Sequence, residues 1–155
     1  MKKALFLVLM LIASVAVSAK EIPAGYVDLG LPSGTLWKAQ NEPGQYMALT
    51  AKYRFEQNLP TDEQFYELRT NCSWKLLEGG YRVTGPNGNK IYFPFDGYLD
   101  CEEDPHYVGE GAFIWIRDIG ERYSSFYVIT ENQKGSVPDS NCRHQSVRLV
   151  IDGNK

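Results

Sequence analysis

Histidine and cysteine are scarce in this sequence, with two of the first and three of the second in 155 residues. That scarcity leaves few side chains for imidazole or thiolate chemistry, whether at a metal or in a nucleophilic dyad. Long apolar runs are missing after residue 19. A bilayer-spanning helix needs roughly 20 apolar residues, so no spanning anchor is expected in the remainder. A basic stripe is also missing, and acidic residues outnumber basic ones 19 to 16. Attraction to a phosphate backbone is therefore not expected, which sets nucleic acid aside as a partner. The chain holds no G-x-G-x-x-G run, no P-loop and no G-x-S-x-G nucleophile elbow, which removes the common signatures of nucleotide binding and serine hydrolysis. No repeat and no low-complexity tract is present.

What is present begins with Lys2-Lys3, an apolar stretch from Ala4 to Val17, and the small-residue ending Val17-Ser18-Ala19. These are the three parts of a secretory signal, so residues 1–19 are expected to be removed and residues 20–155 to form a single domain. No cysteine closes the apolar stretch, which argues against a lipid anchor there. Loss of Lys2 and Lys3 takes two of the 16 basic residues and leaves 14 against 19 acidic ones, a balance of −5. The expected location is secreted, periplasmic or cell-surface. Aromatic residues make up 13 % of the chain, ten of them tyrosine, a composition that suits sheets, interfaces and sugar stacking alike.

Along the chain, Tyr26-Val27-Asp28-Leu29 alternates as a half-buried strand, Pro32-Ser33-Gly34 supplies a turn, and Thr35–Lys38 returns. Residues 40–58 have weak periodicity, with a short irregular helix around Tyr46–Arg54 as the best reading. Thr61 and Gln64 form a capping box, and Phe65, Leu68 and Cys72 follow at helical spacing, which predicts a helix over 61–71. Tyr81–Thr84 and Lys90–Phe93, joined through Asn87-Gly88, predict a hairpin. Residues 94–111 and 131–145 read as long loops, while Phe113–Ile116, Phe126–Ile129 and Ser146–Ile151 read as strands. The pattern is α+β, mostly antiparallel β, with one well-marked helix.

The run Tyr26-Val27-Asp28-Leu29-Gly30-Leu31-Pro32-Ser33-Gly34-Thr35-Leu36-Trp37 resembles the opening of the Fibrobacter succinogenes major paralogous domain family. Leu59-Pro60-Thr61 with Phe65, Leu68 and Cys72-Ser73-Trp74 is similar to that family's capped helix. Gly80–Gly88 with Phe93-Pro94 and Gly97-Tyr98 is similar to its central hairpin, and Ser146–Val150 to its closing strand. The family is abundant in secreted and surface proteins of Bacteroidetes-type bacteria. The resemblance implies a C-type-lectin-like fold, shared with formylglycine-generating proteins, in which the N- and C-terminal strands pair and Val27–Leu29 lies beside Val147–Val150. The chain departs from the family pattern at Gln40, Phe95-Asp96 and Ile114–Arg117, so fold transfers more safely than ligand.

Within that fold, calcium-dependent sugar sites use Glu-Pro-Asn or Gln-Pro-Asp loops. Glu42-Pro43-Gly44 and Val137-Pro138-Asp139 are only partial echoes. The oxidase chemistry of the formylglycine-generating enzymes needs two late cysteines close together, and only Cys142 is late. For Cys72, Cys101 and Cys142 three pairings are open. Cys101–Cys142 is favoured because both fall in loops, while Cys72 falls on the apolar side of the predicted helix. Cys101, His106, Cys142 and His144 include zinc-ligand types at unfavourable spacings, and the disulfide is the simpler reading. Asp100, Glu102, Glu103 and Asp104 form an acidic run, read as a solvated loop in preference to a calcium site and as candidate ligand contacts in the late loops. Tyr81, Tyr92, Phe93, Phe113 and Trp115 are expected to build the sheet core. Tyr98, Tyr107 and Tyr123 lie in or beside loops and are the candidate stacking platform for a ligand.

These features favour a non-catalytic binding or adhesion module that meets a glycan, or an envelope or host protein, through loops at 96–111 and 117–145. A structural component of the cell envelope and a divergent hydrolase or oxidase are the alternatives. No catalytic residue, metal or cofactor is assigned. N-terminal sequencing of the exported protein is expected to begin at Lys20, and a mature chain that still carries residues 1–19 would overturn the leader assignment.

Overall fold

The computed structural model describes residues 21–153; the expected leader at 1–19 and the expected cleavage point before Lys20 lie outside the described residues. In chain order, β1 (Tyr26–Asp28) and β2 (Leu36–Lys38) form a hairpin, and β3 (Tyr46–Met47) leads into α1 (Ala48–Phe55). A 3-10 turn over Glu56–Asn58 precedes α2 (Asp62–Asn71). Then come β4 (Ser73–Leu77), β5 (Gly80–Thr84), β6 (Lys90–Pro94), β7 (Tyr98–Leu99) and β8 (Pro105–His106). The chain ends with β9 (Gly111–Ile119), β10 (Tyr123–Thr130), β11 (Lys134–Ser140), β12 (His144–Gln145) and β13 (Val150–Ile151). They make four small sheets, ordered β1-β2-β13, β4-β5-β6, β3-β12-β7-β8 and β9-β10-β11. All the strand-to-strand pairings are antiparallel. No described helix is long and apolar enough to cross a membrane.

The α2 start follows directly from its residues. Thr61 Oγ1 accepts the Gln64 N–H at 3.2 Å, and Gln64 Oε1 accepts the Thr61 N–H at 2.9 Å. Two otherwise orphaned donors are thereby satisfied, and Asp62 and Glu63 face the positive end of the helix dipole. The helix then buries Phe65 and Leu68. Phe65 stacks on Tyr127 at 4.0 Å between ring centres and meets Trp37 edge-on at 5.0 Å.

The hairpin of β9 and β10 divides the interior in two. Successive strand side chains point to opposite faces, and both faces here are apolar. Ala112, Ile114, Ile116, Tyr127 and Ile129 pack with Trp37, Phe65, Phe93 and other residues on the α2 side. Phe113, Trp115, Phe126 and Val128 pack with Ala48, Ala51 and Leu59 on the α1 side. The outer edge of β9 is closed by parallel bridges to Gly97 and Ser146, which joins this sheet to the one containing β7 and β12.

Several expectations change. The closing strand pairs with β2, Val150 opposite Trp37, while Val27 pairs with Trp37 from the other side. The two terminal strands therefore share one sheet with β2 between them, and Val27–Leu29 is not beside Val147–Val150. The expected strand over 146–151 is reduced to Val150–Ile151, because Ser146 is drawn to β9 and Arg148 turns inward to an elaborate set of acceptors described below. Residues 131–145 are largely strand: β11 pairs with β10 over seven positions. Its composition hid it, since an edge strand needs no apolar alternation and tolerates Pro138. Cys72 is the residue that ends α2, half-buried against the core rather than fully inside. Tyr92 faces outward from β6, while its neighbours Ile91 and Phe93 are core.

Replacing Phe65 with alanine removes the ring that joins α2 to β10 and β2. It is expected to destabilise the protein by about 3–5 kcal/mol in urea unfolding, whereas Tyr66→Ala on the exposed side of α2 is expected to stay within about 0.5 kcal/mol.

Candidate functional site

The late segments predicted to carry the site are built on β7 and β8. Their pairing, Tyr98 opposite His106 and Leu99 opposite Pro105, turns the acidic run into a tight closed loop. Asp100 organises it: its Oδ1 accepts the N–H groups of Glu102 at 3.0 Å and Asp104 at 2.9 Å, and its Oδ2 lies 2.7 Å from His106 Nε2. The His106 bond, with the backbone donors behind it, holds the Asp100 carboxyl below the usual carboxylate range. Glu102, Glu103 and Asp104 are exposed. Among the described residues no group of three or more His, Cys, Asp or Glu side chains converges as a metal site. Within the acidic run, the Asp100 carboxylate holds the backbone of the turn.

Cys101 in this turn is joined by a disulfide to Cys142, with 5.1 Å between Cα atoms. The bond ties the 100–104 turn to the connection between β11 and β12, and linking such distant segments typically stabilises a fold by about 2–4 kcal/mol. With both sulfurs in the disulfide, Cys101 and Cys142 are not thiolate ligands. Arg143, one residue on, lies over the Tyr98 ring at 4.8 Å and pairs with Asp139 at 2.7 Å.

The three candidate tyrosines divide. Tyr98 is 8 % exposed and acts as a support, edge-on to Phe113 at 4.9 Å and stacked on Tyr107 at 6.0 Å. Tyr107 is 52 % exposed, and its backbone takes a left-handed φ of 55° that disfavours side chains with a Cβ. It is held there by its carbonyl, which accepts the N–H groups of Glu110 and Gly111, and by Gly109 N–H, which donates to Phe95. Gly97 makes this approach feasible, since a Cβ there would collide with the His106 carbonyl. Tyr107 borders a cleft of about 550 Å³ together with Leu77, Glu110, Thr130, Glu131, Asn132 and Gln133. Tyr123 is 69 % exposed but begins β10, seven residues from Thr130 and so about 23 Å away along the strand. The structure brings Tyr98 and Tyr107 together and leaves Tyr123 apart.

A second cleft was not foreseen from sequence. It is about 860 Å³ and lies between residues 39–45 and the outer face of the β5–β6 hairpin. Arg82, Lys90 and Tyr92 come from the hairpin, Asn41, Glu42 and Gln45 from the facing segment, and Asp96 and Arg148 complete the lining. Arg148 is fully buried. Its Nε donates to Asn41 Oδ1 at 2.7 Å, one terminal nitrogen donates to the Lys38 and Ala39 carbonyls at 3.1 and 3.2 Å, and the other to the Tyr92 carbonyl at 2.7 Å. The guanidinium also sits 4.5 Å from the Phe93 ring centre. Burial pushes its pKa below the ordinary arginine value, opposed by the charge of Asp96. The available signal was the charged residue inside the apolar closing run Val147-Arg148-Leu149-Val150, together with the outward period of Arg82, Lys90 and Tyr92.

Comparison with known proteins finds no matching family model, no matching curated protein and no matching solved structure.

The Asp100 bonds give the late turn a pH signature. Because the native carboxyl titrates below its ordinary 3.8, its contribution is complete above that value and is lost as pH falls through the lowered native value. Amide exchange at Glu102 and Asp104 is expected to speed up in Asp100→Asn at neutral pH. In the unmodified protein the same acceleration is expected only on acidification below pH 3.8.

Proposed function

We propose that this chain is an exported, non-catalytic binding module of C-type-lectin-like plan, related to the Fibrobacter succinogenes major paralogous domains, that recognises a glycan through its late loops. The observation that carries this reading is Tyr107: an exposed ring in a left-handed backbone position, braced by Tyr98 and Phe113. Backbone strain persists where the surroundings enforce it, and it concentrates at binding sites. A sugar presents an apolar C–H face that packs on such a ring and hydroxyls that need nearby donors and acceptors. Glu110, Glu131, Asn132 and Gln133 supply those around the Tyr107 cleft. The disulfide and the Asp100 turn keep the loop ordered before the ligand arrives, which lowers the entropy lost on binding. Arg143 over Tyr98 braces the platform from below.

A protein partner in the envelope is the second reading, favoured by one feature: α1 and the residue before it expose Met47, Leu49 and Tyr53. Leu49 and Tyr53, four residues apart, share a face of that helix.

Thermal unfolding against a panel of neutral oligosaccharides tests the primary reading. A ligand at about 100 times its Kd stabilises the folded state by about 2.7 kcal/mol, which shifts the midpoint measurably. The shift is expected to persist in Tyr123→Ala and to disappear in Tyr107→Ala. If no glycan moves the midpoint, and sizing chromatography shows self-association that Tyr53→Ser abolishes, the envelope reading replaces it.

A further inference from the structure

We propose that the cleft between residues 39–45 and the outer face of β5–β6 is a second binding site, which takes a carboxylate-bearing sugar and is independent of the Tyr107 cleft. Charge is the first ground. Arg82, Lys90 and Arg148 line this cleft against Glu42 and Asp96. Glu42 is already paired with Lys38, and Asp96 accepts the Asn41 amide at 3.2 Å and remains near Arg148. The local balance is positive in a chain whose overall balance is negative.

The second ground is an unused donor. Among the described residues the Arg82 side chain has no hydrogen-bond or ion-pair partner, and its Nε is buried without an acceptor. A buried guanidinium N–H without a partner is unfavourable, and a carboxylate fits its planar fork in two places at once. Lys90 stands diagonally across from Arg82, because Arg82 pairs with Tyr92 and Thr84 with Lys90. That diagonal is about 7–8 Å, so one acidic group between them reaches both cations. Glu42 and Asp96 in the same lining would repel a dianion, which favours a singly charged carboxylate over a phosphoryl group.

Apolar faces and amides in the lining select the rest of the ligand. Pro43, Pro94 and the half-buried Tyr92 ring give apolar faces, with the Tyr92 hydroxyl tied to the Glu78 carbonyl at 3.2 Å. Gln40 is exposed, and Gln45 uses its NH₂ on the Asp96 and Gly97 carbonyls, which leaves its own carbonyl oxygen toward other donors. Amides beside flat apolar surfaces suit a sugar's hydroxyls and C–H faces. An extended peptide is less well served. β6 is an edge strand, but Arg148 occupies its Tyr92 carbonyl and interrupts the main-chain edge a peptide would pair with.

Calorimetric titration of the protein with tetragalacturonate, its fully methyl-esterified form and tetraglutamate tests this. Tetragalacturonate is expected to bind at least about tenfold more tightly than either of the others, since a charge-assisted bidentate contact is lost with the ester. Arg82→Gln is expected to weaken it about tenfold or more, with Arg82→Lys falling between, and Lys90→Gln to weaken it and flatten its salt dependence. Tyr107→Ala is expected to leave it unchanged, which separates this site from the late-loop site. The proposal is overturned if acid and ester bind alike, if tetraglutamate binds as well, if Arg82→Gln has no effect in a variant of unchanged melting temperature, or if tetragalacturonate does not bind at millimolar concentration.

Discussion

Everything in this fold depends on one hairpin being apolar on both faces. β9 and β10 pair through most of their length, and their side chains go alternately to the α2 side and the α1 side. A strand with one wet face could slip by a residue only by exchanging its inner and outer sets. Here both sets are apolar, but they meet different neighbours: Tyr127 must reach Phe65, and Trp115 must donate its indole N–H to the Tyr46 carbonyl at 2.6 Å. Register is thus fixed by particular partners on each face. The small outer sheets are too short to stand alone, and each is attached to this hairpin or to the helices packed on it.

Arg148 is the constraint that shapes the surface. A fully buried guanidinium is unfavourable unless its donors are satisfied. It is satisfied here by Asn41, by the Lys38 and Ala39 carbonyls and by the Tyr92 carbonyl. Those acceptors come from the end of β2 with the segment after it and from β6, so satisfying one cation joins three distant stretches of chain. The same bonds hold residues 39–45 away from the β5–β6 face at a fixed spacing, and the larger cleft is the space between them. The late-loop cleft has a different brace, the disulfide and the Asp100 turn.

Local rules were enough to read some elements and not others. The capping box at Thr61, the alternation through Tyr81–Thr84 and the Asn87-Gly88 turn are short-range signals, and the corresponding elements stand where those signals place them. Strand β11 carried no such signal, because Lys134–Ser140 gains its order from pairing with β10 and needs no apolar face of its own. Two-residue strands such as β7, β8 and β12 are set by tertiary contacts that no local pattern encodes. At the late loops, the disulfide partners are readable from loop position, but Tyr123 shares with Tyr98 and Tyr107 only a place in or beside a loop, and the length of β10 separates it from them. Arg148 and Tyr92 were missed for one reason: a charged residue in an apolar run, or a tyrosine in a strand, has a function that depends on which side it faces.

Composition also averages over geometry. An acidic chain repels an acidic ligand at long range, but that repulsion is screened beyond about 8–10 Å at ordinary ionic strength. Contact with Arg82 and Lys90 takes place well inside that distance, where the local pair outweighs the distant sum. Net charge therefore bears on approach rate and solubility, while the sign of a site is set by the few side chains that line it. In this cleft two of them, Arg82 and Lys90, are outward residues of one hairpin, and strand periodicity places them together.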